Sequence, residues 1–73
     1  MKTDYNNVKG YQQLPPQYHQ LFCEVVTTHS VAEPGIGIPV ATHVSRNLDR
    51  GDFLVIEWSA GTVWFYRADG EWD

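Results

Sequence analysis

The stretch "DFLVIEWSAGTVWFYRADGEW", residues 52–72, decides the fold. Residues 53–58 and 62–67 are dense in aromatic and β-branched side chains, which favour a pleated surface, and the small residues Ser59, Ala60 and Gly61 separate them. This predicts a β-hairpin. A three-residue turn with Gly61 in the left-handed conformation pairs Trp58 with Thr62, Ile56 with Trp64 and Leu54 with Tyr66 on one face. Glu57–Val63, Val55–Phe65 and Phe53–Arg67 then share the other face. A two-residue Ala60–Gly61 loop shifts the pairing by one, and under either register both faces carry large apolar groups. Asp69 and Gly70 form a second turn, leaving residues 71–73 room for a stub of strand.

Upstream, Tyr18, Leu21, Phe22, Val25 and Val26 recur at i, i+3, i+4, i+7 and i+8, which places them on one side of a helix over residues 16–29. Gln17, Gln20, Glu24 and Thr27 fall on its wet side. Pro16 suits the first turn, where its missing N–H has no intrahelical partner, and Leu14 packs back from just outside. Glu33, Pro34 and Gly35 stop the helix. The run "IGIPVATHV" then alternates, with Ile36, Ile38, Val40, Thr42 and Val44 pointing one way. Pro39 cannot donate to a ladder, so this strand belongs at an edge or begins just after it. The expected fold is α+β: one N-terminal amphipathic helix packed on a three-stranded antiparallel β-meander. Residues 1–13 read as a loose or partly docked polar arm and residues 14–73 as a single domain.

Seventy-three residues bury only about 60% of the surface their unfolded chain exposes, so such a core needs tight packing or association. The single cysteine, Cys23, cannot close an internal disulfide. The first ten residues hold no apolar segment of a signal peptide, and no run approaches the roughly 20 apolar residues of a bilayer span. A soluble, cytoplasmic protein is expected. Five basic residues against nine acidic ones give a net charge of −4, and the cations are scattered, which argues against a nucleic-acid partner.

Chemistry-bearing residues are sparse. His19 and Cys23 are helical neighbours, but two ligands do not make a metal site, and a third has to come from His29 or His43 through the fold. The reading assigns no metal and no cofactor. Cys23 in mid-helix lacks the helix N-terminus or charged neighbour that activates a thiol. The glycines of "GIGIP" precede a proline and a strand, whereas a phosphate cradle leads into a helix, so they read as turn and packing residues. "RGD", residues 50–52, reads as polar loop. Glu57 interrupts an apolar strand, and Arg67 is taken to reach it across the hairpin, which with His43 outlines a possible ligand-binding group. Tyr66 would complete an acid/base set if it converged with His43 and Glu57. A chain this small has little scaffold for a pocket and its supporting shell, so no catalytic residue is assigned.

One helix covers one sheet face. The other needs the arm, sheet curling or another molecule, and a homodimer is the simplest answer. The leading expectation is therefore a small non-catalytic protein-interaction module, homodimeric through Trp58, Trp64, Phe65 and Tyr66. An alternative is an acidic inhibitor or adaptor of a larger cellular machine, of phage or mobile-element type, presenting Asp49, Asp52, Asp69, Glu71 and Asp73. A second alternative is a small-molecule binder or minor enzyme with a cleft near His43, Glu57 and Arg67.

Overall fold

The computed structural model describes Tyr5, residues 7–46, Asp49 and residues 51–72. Its fold is α+β, with a helix α1 (Pro16–Ala32) followed by strands β1 (Pro39–Ser45), β2 (Phe53–Trp58) and β3 (Val63–Tyr66) in an antiparallel sheet of order β1-β2-β3. Among the described residues, no helix is long and apolar enough to cross a membrane.

The helix buries the stripe that its spacing sets out. Leu21, Phe22, Val25 and Val26 are buried, and one further turn brings His29 onto the same stripe with no exposed surface. Gln17, Gln20, Glu24 and Thr27 face solvent. Pro16 opens the helix, and Glu33 closes it by donating its N–H to the His29 carbonyl at 2.8 Å. Pro34 cannot continue the helical ladder, so a single 3₁₀ turn, Pro34–Ile36, redirects the chain and drops Ile36 into the core.

The hairpin takes the three-residue register. Trp58 donates to the Thr62 carbonyl at 2.9 Å, Gly61 donates back to Trp58, and Gly61 adopts φ 93°, where a side chain would be strained. The pairs Leu54↔Tyr66, Val55↔Phe65, Ile56↔Trp64 and Glu57↔Val63 follow. With side chains alternating, Leu54, Ile56, Trp58, Trp64 and Tyr66 all face the helix. The segment before β1 is tied to this turn: Ser59 N–H donates to Ile38 O at 2.8 Å, and Ile38 N–H to Ser59 Oγ at 2.9 Å. Gly37 lies against that hydroxyl with φ 87°, and a Cβ there would run into Ser59 Oγ.

β1 departs from the simple alternation. Pro39 is its first residue and opposes Trp58, but Ala41 opposes Glu57, so Val40 is an extra residue in a bulge and is exposed along with Ile38. Thr42 and Val44 then point inward as expected, and Thr42 Oγ1 donates to Val55 O at 2.7 Å. The arm is docked where it is described. Lys9 bridges to Ala41 in parallel fashion, donating to Val40 O and accepting from Thr42 N–H. Val8 is buried, and the rings of Tyr5 and Tyr11 pack on Phe22 at 4.9 and 5.0 Å. At the opposite edge, Trp72 bridges to Tyr66 after the turn at Asp69 and Gly70.

Candidate functional site

Two constellations stand out, one beneath the helix and one on the opposite face of the sheet. Beneath the helix, His29 sits in a ring of aromatic side chains that includes all three tryptophans of the chain. Trp72 stacks on it at 4.3 Å with planes 11° apart, while Trp58, Trp64 and Tyr66 present edge contacts at 5.7, 4.9 and 5.6 Å. Trp58 Nε1–H can only donate, and it donates to Tyr66 Oη at 3.0 Å. The Tyr66 hydroxyl, 2.7 Å from His29 Nδ1, sends its own proton there. The imidazole proton then belongs on Nε2, which lies 3.5 Å from Glu33 Oε1. Burial pushes the Tyr66 hydroxyl far above the ordinary phenol range; the Trp58 bond opposes this and the Glu33 carboxylate adds to it. The hydrogen-bonded chain thus runs Trp58, Tyr66, His29 and ends there, with Glu33 near the imidazole but not hydrogen-bonded to it. Among the described residues, His29 Nε2 and Trp64 Nε1 are buried side-chain polar atoms that make no hydrogen bond. With His29 and Tyr66 sealed from solvent, this network locks helix to sheet and offers no entry for a substrate.

The far face of the sheet forms a three-by-three grid. Ala41, Glu57 and Val63 make one row; His43, Val55 and Phe65 the middle; Ser45 and Phe53 the last, which the register extends to Arg67 just beyond β3. Val63 and Phe65 remain 48% and 44% exposed on this face. Val55, although buried, lies outside the helix-side core cluster, and on this face the rings of Phe53 and Phe65 sit 5.8 Å apart.

These placements correct several expectations. Trp58 and Tyr66 belong to the core beneath the helix, and Trp64 packs on His29 there, so Phe65 alone of the four proposed interface aromatics stands on the open face. Twist and helix placement decide which of two apolar faces is covered, and alternation cannot. Arg67 does not reach Glu57. The two occupy opposite ends of the grid, and Arg67 is 3.8 Å from Glu71 instead. His43 and Glu57 do share a face, as diagonal neighbours, but Tyr66 points through the other side. His43 also lines a groove of about 530 Å³ between the start of α1 and β1, with Tyr18, Arg46 and Asp52.

His19 hydrogen-bonds the Leu14 carbonyl at 3.0 Å, Cys23 is exposed, and among the described residues no three His, Cys, Asp or Glu side chains gather to hold a metal. Asp49, Asp52, Asp69 and Glu71 are exposed at one end of the sheet, where Arg46 and Arg67 interrupt them; Asp73 lies outside the described residues. The apolar open face, with Phe53 and Val63, is what sequence reasoning missed as a unit, although the three-residue register already grouped Phe53, Val55, Val63 and Phe65. No family model, no curated protein and no solved structure matches the chain.

Proposed function

We propose that this protein is a small non-catalytic interaction module that associates with a second copy of itself through the open sheet face. The observation that supports this reading is the apolar patch of Phe53, Val55, Val63 and Phe65, with Val63 and Phe65 about half exposed on the side away from the helix. A chain of this size gains stability by covering such a surface, and a symmetric pair does so with one patch used twice. Tyr66, whose hydroxyl burial pushes well above the ordinary phenol range, is locked in the core beneath the helix and takes no part in this surface.

Sedimentation velocity over a wide concentration range is the test. Wild-type protein should pass from monomer to dimer as concentration rises, and Phe65→Ser should stay monomeric while remaining folded. A wild-type chain that stays monomeric and soluble at every concentration would refute the proposal.

A further inference from the structure

We infer that the two copies pack with their strands antiparallel across the shared face, joined by two ion pairs in which Glu57 of each copy meets Arg67 of the other. This rests on the self-association proposed above and adds its geometry. Neighbouring strands lie about 4.8 Å apart, and same-face residues along a strand about 7 Å apart. Glu57 occupies the middle of one end row, and Arg67 a corner of the opposite end row, so about 13–14 Å of strand separates the rows. The face therefore carries an acid at one end and a base at the other, with Val55 and Phe65 between.

Sheets packed face to face keep their strands within about 30° of alignment, which leaves two ways to place a two-fold axis in the interface. An axis running along the strands lays Glu57 on the second copy's Glu57, a like-charge contact at the middle of a row. An axis running across the strands exchanges the end rows. Glu57 then stands offset by about one strand spacing, roughly 5 Å, from the second copy's Arg67 across the roughly 10 Å between packed sheets, a gap that a glutamate and an arginine side chain pointing toward each other can bridge. The same operation lays Phe65 against Phe65 and Val55 against Val55. Charge complementarity therefore selects a second copy of this chain as the occupant, and selects the antiparallel orientation. The existing Arg67–Glu71 contact, 3.8 Å long and solvent-exposed, is the kind that yields readily to a better-sheltered partner.

Charge reversal in trans tests this. Glu57→Arg and Arg67→Glu should each weaken self-association about tenfold or more, because each brings like charges together twice in the homodimer. Mixed one to one, the two variants should form a heterodimer at least as tight as the wild-type dimer, since every acid again faces a base. Tryptophan fluorescence, which reports the opposite face, verifies that each variant is folded. If the wild type dimerises but the mixed variants associate no better than either alone, the antiparallel pairing is overturned while self-association through this face survives. If the wild type does not dimerise, both fall. Raised salt should weaken the wild-type dimer, and an association indifferent to salt would count against the ion pairs.

Discussion

The two faces of the sheet are built from similar residues and differ in how they are completed. On the helix side, every large ring meets another packing element, and the polar atoms of Trp58, Tyr66 and His29 are strung into one donor chain. On the far side, Phe53 and Phe65 meet ring to ring, Val63 and Phe65 stay about half exposed, and Glu57 stands unburied among them. Apolar content alone therefore does not mark a core. What marks it is a second layer that covers the rings and the pairing of most polar atoms that layer buries, His29 Nε2 and Trp64 Nε1 being the exceptions among the described residues.

Substitutions that respect or cross this division should separate sharply. Phe22→Ala removes a fully buried ring from the helix side and should cost about 3–5 kcal/mol, enough to leave so small a domain largely unfolded, as read by denaturant titration. Tyr66→Phe keeps the ring but deletes the hydroxyl between Trp58 and His29, and should cost about 1–3 kcal/mol. It should also change the response to alkali. Because the folded hydroxyl titrates well above its ordinary value of 10.0, its contribution is fully present below that value. As pH rises above it, the unfolded phenol ionises while the folded one cannot, and stability falls. Tyr66→Phe should shallow that decline, and parallel alkaline melts of the two proteins would settle the sign.

Smaller effects should follow elsewhere. Gly37→Ala forces a Cβ toward Ser59 Oγ at a positive φ and should lower stability by about 1–2 kcal/mol, with the loss visible in thermal melts. Phe65→Ser on the open face should change monomer stability least, by about 1 kcal/mol or less, while removing the proposed self-association. A melt of Phe65→Ser as damaged as that of Phe22→Ala would erase the distinction between the faces.

Much of this was legible in the residues. The spacing of Leu21, Phe22, Val25 and Val26 is enough to fix the helix face, and its next step lands on His29, whose burial the periodicity already implies. Gly61 marks the hairpin turn, but it fits both the three-residue loop and the two-residue Ala60–Gly61 loop, and only the Trp58–Thr62 and Glu57↔Val63 pairings decide between them. The side of the sheet that receives the helix was not legible, since both sides offer aromatic rings and only three-dimensional twist chooses between them. Nor was the docking of Lys9 on β1, which runs through backbone groups common to every residue. Val40 leaves the alternation through a bulge that no side-chain pattern announces. The expected Glu57–Arg67 contact failed for a simpler reason: the predicted register itself sets Val63 opposite Glu57 and Phe53 opposite Arg67.

The bridges made by Lys9 and Trp72 sit at the two rims of the sheet, where unsatisfied amides and carbonyls otherwise recruit further strands. With the chain's own flanking segments occupying part of both rims, lateral elongation into a ribbon or fibril is obstructed from either side. A partner that meets the exposed aromatic surface therefore approaches it broadside rather than by adding a strand at either rim.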